Sequence, residues 1–221
     1  LLLGFWLFND DLKGWQTLIG ALVALLAALI AVYAQRIWNE QQRRRRLLSH
    51  RALLPEDLSR VMRYARQCAD VACAALVALR TNQNPRPELE CPILPERVLD
   101  DLRFLIENLD GKDALAVADL VSCYQVQHAR LSGELEDFNR PERHAVPRIV
   151  TVDNVEHTFE KTVELTLLIN NMWEFARRET DTIPPPQFNA ADFRDALFAL
   201  GIFDVMSAEY RTQLERIYIA T

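Results

Sequence analysis

The chain has 221 residues, half of them hydrophobic and a quarter charged, with 25 Lys and Arg against 31 Asp and Glu for a net charge of −6. An acidic balance argues against nucleic acid as a partner, because a phosphate backbone is bound by clustered cations. Six scattered glycines leave no loop able to cradle a phosphate, and no nucleophile motif, HExxH pattern or paired-cysteine zinc pattern occurs.

Residues 1–8, LLLGFWLF, are apolar but too few to cross a bilayer. They read as the end of a first membrane helix cut short, with Asn9, Asp10 and Gly14 supplying turn chemistry, or as an interfacial foot. A cleaved signal is a third reading, but no small-residue cleavage site follows the run.

Residues 15–38 predict a transmembrane helix. Residues 18–34 are apolar without interruption. At about 1.5 Å per residue the 15–38 stretch is about 35 Å long, against a hydrocarbon layer of about 30 Å. Trp15, Tyr33 and Trp38 stand where amphipathic rings anchor at the headgroups. Gly20, Ala24, Ala27, Ala28 and Ala31 form stripes of small residues, a face on which another membrane helix could pack closely. No ionisable residue interrupts the run, which argues against an ion or proton path along it.

Residues 39–54 form a basic collar and stalk. Arg36, Arg43, Arg44, Arg45 and Arg46, with Arg51 beyond, crowd this flank, whereas the other flank carries Asp10, Asp11 and Lys13. Such arginines are retained on the cytoplasmic side and meet anionic lipid headgroups there. The expected location is therefore the inner (cytoplasmic) membrane of a bacterium, with the C-terminal part in the cytoplasm. Residues 1–46 carry a net charge of +3, which leaves −9 of the whole-chain −6 to residues 47–221. That remainder is long enough for one domain with its own core.

Residues 55–180 predict a helical bundle. Pro55 followed by Glu56 and Asp57 predicts a new helix start, running to about Arg80 with Leu58, Val61, Met62, Ala65, Cys68, Ala69, Ala72, Leu76 and Leu79 on one stripe. A proline-rich loop over residues 81–95 leads to a helix over residues 96–109, which Asp110 and Gly111 end in the manner of a glycine cap. Residues 112–138 predict a long helix with Val117, Val121, Tyr124, His128, Leu131, Leu135 and Phe138 on a seam. A further long helix is expected over residues 151–178, with Val152, Val155, Phe159, Val163, Thr166, Asn170 and Trp173 on one face. Residues 181–221 predict a proline-rich linker, stiffened by Ile183-Pro184-Pro185-Pro186, and a helical pair capped by Asn189 and Ser207 and separated at Gly201. Cys68, Cys73, Cys91 and Cys123 are expected as free thiols, mostly small core residues.

The fold class is thus all-α: an N-terminal transmembrane helix, single or the second of a hairpin, followed by a cytoplasmic helical bundle. Asp153, Glu156, His157, Glu160 and Glu164 suggest a metal site, but no Glu-x-x-His supports it, and a solvated acidic face is the plainer reading. His128 falls on a seam and is expected to hydrogen-bond Asn170 or Thr166 in a buried polar network. Arg140, Arg143, His144 and Arg148 form a weak anion-site candidate. No cofactor and no metal are expected, and any small-molecule ligand is left unknown. The expected function is that of a membrane-anchored, non-enzymatic accessory or scaffold protein, its membrane helix packed on a membrane complex or on itself and its bundle on a protein partner. The alternatives are a signal-gated membrane effector of defence or toxin type, and a helical enzyme acting through the acidic helix or His128.

Overall fold

The computed structural model describes the backbone of residues 2–83, 85–140 and 150–219, and their side chains apart from those of 2–14, 16, 17, 214 and 217–219. Among the described residues every regular element is an α-helix: α1 Leu2–Arg80, α2 Glu96–Asn108, α3 Gly111–Asn139, α4 Val152–Asn171, α5 Trp173–Ala176, α6 Ala190–Leu200 and α7 Ala208–Ile219. The chain divides into two units, Leu1–Leu48 and Ser49–Thr221.

The first unit is the N-terminal part of α1. Its backbone is helical through residues 9–14, so the turn predicted there does not form. Asn, Asp and Gly favour turns only by a fraction of a kcal/mol to about 1 kcal/mol each, and a helix flanked by strong formers absorbs that. Beyond it, α1 holds an 18-residue window of mean hydropathy 2.3 in which nothing is buried. By length and composition this helix can cross a membrane.

The second unit begins with the rest of α1. The helix does not restart at Pro55 but runs through it. Pro55 cannot donate to the Arg51 carbonyl, a loss that costs about 3 kcal/mol in a helix interior. Two features offset it. Leu54, Leu58 and Val61 are fully buried on the inner stripe, which continues through Ala65, Cys68, Ala69, Ala72 and Leu76. On the same turn the Arg51 guanidinium donates from Nε to the Phe175 carbonyl at 3.0 Å and from a terminal nitrogen to the Thr180 carbonyl, and it lies 4.0 Å over the Phe175 ring.

The predicted α2 and α3 form with nearly the expected limits. Val98, Leu102 and Leu105 of α2 are buried, as are Val117, Val121, Tyr124, Leu131, Leu135 and Phe138 of α3. Gly111 does not cap α2, which ends at an extended Leu109; with φ of +46° it opens α3 instead. A second α3 stripe, Leu120, Cys123 and Gln127, is also buried.

α4 is the central helix. Thr151 caps it in a reciprocal pair with Asn154. Val155, Phe159, Val163, Leu165, Leu167 and Ile169 are buried on several sides, and α3, α5 and α6 all pack against it. It is shorter than the sequence predicts. It ends at Asn171, Met172 is its cap, α5 follows as one separate turn, and Arg178 adopts a left-handed φ of 65°. Asn170 is exposed rather than on the inner face. The proline run is not a free linker. Ile183 is buried and donates its N–H to Asp113 of α3 at 2.8 Å, and Asn171 donates to the Pro184 carbonyl at 2.8 Å. Asn189 caps α6, Gly201 ends it at φ of 69°, and the Ser207 hydroxyl accepts from the Tyr210 N–H.

Arg51 gives the first test. Arg51→Ala should lower stability by about 2 kcal/mol, and Arg51→Lys should restore less than half of that, since an ammonium cannot span both carbonyls while stacking on Phe175. Urea unfolding of the purified chain measures both; an Arg51→Ala protein as stable as the parent would remove this contact from the account of Pro55.

Candidate functional site

The apolar part of α1 presents its sequence-predicted residues openly. Trp15, Tyr33 and Trp38 are 66%, 68% and 62% exposed, and Leu22, Leu25, Leu26 and Leu29 are exposed alongside them. Gly20, Ala24, Ala27, Ala28 and Ala31 are exposed, and a Cβ added at Gly20 would meet nothing within 4 Å. The arginines that follow differ from one another. Nε of Arg44 donates to Glu40 at 3.0 Å and Nε of Arg43 lies 3.3 Å from the same carboxylate, whereas Arg36, Arg45 and Arg46 are exposed. Arg51 belongs to the interior contact described above.

Inside the second unit, His128 does not meet Asn170 or Thr166. Its Nδ1 is 3.4 Å from the Tyr64 hydroxyl of α1 and 3.7 Å from Cys91 Sγ on the segment joining α1 to α2, and its ring stacks on Tyr124. The predicted seam faces α1 at this point, not α4. Tyr64 packs edge-on against Tyr124 and shares a hydrogen bond with Cys68, one turn further along α1. Burial pushes the Cys68 thiol up to about 12 and the Tyr64 hydroxyl well above the ordinary phenol range.

The buried polar network lies one residue away from the predicted position. Gln127 donates to the Thr162 hydroxyl at 2.7 Å, Thr162 and Thr166 donate to the carbonyls of Thr158 and Thr162, and the Thr158 hydroxyl donates to Glu134. Threonine at every fourth position of α4 carries its own acceptor with it, the carbonyl one turn back, so a column of hydroxyls can be buried without a partner helix supplying each bond.

Glu156, Glu160 and Glu164 of α4 are each engaged in a pair. Glu156, 7% exposed, lies 3.7 Å from Arg80; His157 Nδ1 is 2.7 Å from Glu160; Lys161 bonds Glu164. Burial raises the hydroxyl of the half-buried Tyr210 of α7, and the negative charges of Glu160 and Glu156 lie close enough to add to the effect. Among the described residues no group of three or more His, Cys, Asp and Glu side chains is placed to hold a metal ion. Of the anion-site candidates, Arg140 is the exposed cap of α3, while Arg143, His144 and Arg148 lie outside the described residues.

One charged cluster escaped the sequence reading. His50 of α1 lies with Nδ1 3.0 Å from Asp101 of α2, its ring stacked on Phe104 at 3.8 Å. Arg97 Nε is 3.6 Å from the other Asp101 oxygen. Asp57, two turns along α1 from His50, is 3% exposed, with Arg60 3.9 Å away. Burial first, and the negative charge of Asp101 second, raise the Asp57 carboxyl from 3.8 to about 6. In the sequence Asp57 reads as a residue at a helix start; only the continuation of α1 through Pro55 places it inside.

No protein-family model matches the chain, and neither does any curated protein or solved structure.

The raised carboxyl has a direct consequence for stability. Between 3.8 and about 6 the folded state keeps a proton on Asp57 that the unfolded chain has released, so stability falls as pH rises through this window and stays reduced at neutral pH. Asp57→Asn should therefore flatten the fall between these values and stabilise the protein at pH 7 by on the order of 1–2 kcal/mol. Thermal unfolding of both proteins from pH 4 to 8 checks this. Parallel curves would show that Asp57 does not hold the proton.

Proposed function

We propose that the protein is a membrane-anchored, non-enzymatic accessory or scaffold protein of the inner (cytoplasmic) membrane, with the acidic helical bundle of its C-terminal part in the cytoplasm. The observation that carries the reading is the 18-residue window of mean hydropathy 2.3 with 0% of it buried. A core helix of a soluble protein with that composition would be covered by its own chain. Here a run including Leu18, Ile19, Leu22, Val23, Leu25, Leu26, Leu29 and Ile30 is at least half exposed. Each such side chain left in water forgoes about 1.5–3 kcal/mol, so the run requires an apolar surrounding.

The remaining parts of the reading follow from chemistry. Exposed Arg36, Arg45 and Arg46 favour retention on the cytoplasmic side. A span free of ionisable residues suits anchoring and helix packing better than transport. The face of Gly20, Ala24, Ala27, Ala28 and Ala31 is the surface on which a membrane helix, from a partner complex or a second copy, would pack. The bundle would then hold a protein partner.

Two measurements test the proposal separately. Expressed in a bacterial host, the full chain should sediment with membranes and resist alkaline carbonate. The pair Leu25→Arg and Leu26→Arg should release it, since each charge at a span centre costs about 2.5–3.5 kcal/mol on insertion scales. Release of the unaltered chain by carbonate would sink the anchor. Purification from mild detergent should return a complex or an oligomer, and a Gly20→Leu, Ala24→Leu, Ala28→Leu variant should dissociate it. A lone monomer from unaltered protein would sink the scaffold role.

A further inference from the structure

We infer that Cys91 and His128 form a thiol–imidazole pair that makes Cys91 a site of covalent oxidation by hydroperoxides. The inference is independent of the membrane anchor and rests on how the pair is built. Cys91 sits on the extended segment between α1 and α2, which is fastened across α3 at three levels. Leu89 exchanges two hydrogen bonds with the Asn139 side chain, its N–H donating at 3.1 Å and its carbonyl accepting at 2.8 Å. Cys91 Sγ lies 3.7 Å from His128 Nδ1. Leu94 is buried, and its backbone bonds Tyr124. The thiol lies between two polar partners, the Pro92 carbonyl at 3.6 Å, which accepts from it, and His128 Nδ1 at 3.7 Å, and it keeps partial access to solvent, as the half-buried side chain shows.

Of the other thiols, Cys68 and Cys123 are buried, and Cys73 is the comparable one. Cys73 is also half-buried, but the charge beside it is Asp70, and burial together with that carboxylate pushes its thiol up to about 11. Burial pushes the Cys91 thiol up as well. The resting pair is therefore a neutral thiol beside an imidazole, and the nucleophile forms when the proton passes to Nδ1. The Tyr64 hydroxyl, 3.4 Å from the same nitrogen, is a second polar group there and helps to fix the ring.

The step balances with a hydroperoxide as the oxidant. Cys91 sulfur attacks the terminal oxygen of ROOH. The S–O bond forms and the O–O bond breaks. The sulfur is oxidised by two electrons and the peroxide is reduced to an alkoxide, or to hydroxide when R is hydrogen. The thiol proton, taken by His128 Nδ1, passes to that leaving group as ROH. The product is a sulfenic acid at Cys91. Cys68, close enough to Cys91 to feel its charge, is the neighbouring thiol with which it can condense: an S–S bond forms, the S–O bond breaks, and the hydroxyl leaves with the Cys68 proton as water.

The test compares thiols within one chain. The purified full-length protein is treated with iodoacetamide over a time course, and separately with hydrogen peroxide in the presence of dimedone, and each cysteine is read by peptide mass spectrometry. Cys91 should alkylate roughly ten-fold faster than Cys73. Peroxide should place dimedone on Cys91, or give a Cys68–Cys91 disulfide where Cys68 captures the sulfenic acid first. His128→Asn, which keeps a polar atom near Nδ1 but takes no proton, should slow Cys91 roughly ten-fold and leave Cys73 unchanged. Equal rates at Cys91 and Cys73 in the unaltered protein overturn the inference without any variant. So does a Cys91 rate indifferent to His128→Asn.

Discussion

The buried stripe of α1 from Leu54 to Leu76 is what the second unit is assembled on. Leu54, Leu58, Val61, Ala65, Cys68, Ala69, Ala72 and Leu76 all have essentially no exposed surface. The residues facing it come from far along the chain: Tyr124, Leu131, Leu135 and Phe138 of α3 and Val155 of α4. Small residues at 65, 69, 72 and 75 allow close approach, and the void left between Ala72, Ala75, Leu131 and Val155 is about 10 Å³, too small for a ligand. The stripe also explains the proline. Burial of one leucine is worth about 1.5–3 kcal/mol and a proline in a helix interior costs about 3 kcal/mol. Leu54 and Leu58, on either side of Pro55, stay on one face only if the helix does not break between them, so packing outweighs the local preference.

The parts legible in the sequence were those decided within a few residues. The limits of α2 and α3, the seam from Val117 to Phe138, and the caps at Asn189, Gly201 and Ser207 depend on side chains near the backbone groups they satisfy. The parts that were not legible depend on distant partners. Pro55 reads as a start because nothing nearby reports that Leu54 is buried or that Arg51 is engaged with residues more than a hundred positions away. His128 reads as a neighbour of α4 because the seam has no direction until the helices are arranged; it turns toward Tyr64 and Cys91. The pinned segment at Ile183 and Pro184 is of the same kind, since its constraints are supplied by Asp113 and Asn171.

The polar interior divides into groups that carry their own compensation and groups that do not. The threonine column of α4 is satisfied by the carbonyls of its own helix, and Gln127 adds one bond across to α3. The column itself is buried at little cost, because the Thr162 and Thr166 hydroxyls have acceptors in their own helix, and it is the Gln127 bond to Thr162 that favours one register of α3 on α4. Asp57 lacks that. Its neighbours include a second carboxylate as well as an arginine, and its proton is held more tightly than an ordinary aspartate holds one. Asp57 lies within the reach of Asp101, the α2 carboxylate that His50 contacts where α1 meets α2.

Between positions 18 and 34 there is no Asp, Glu, Lys, Arg or His, so this stretch carries no formal charge. A run of this composition supplies affinity for an apolar surrounding and shape for a neighbouring helix rather than charge. Polar and charged chemistry lies outside that run, on the arginine collar and on residues 49–221. There, most ionisable groups near the core are already paired with one another: Glu156 with Arg80, Glu164 with Lys161, Asp101 with His50. Cys91 beside His128 is different in kind, because the contact leaves a partly accessible sulfur whose proton has somewhere to go. On a helical unit built on an aliphatic stripe, the extended segment between α1 and α2 holds a half-buried thiol with an imidazole beside it.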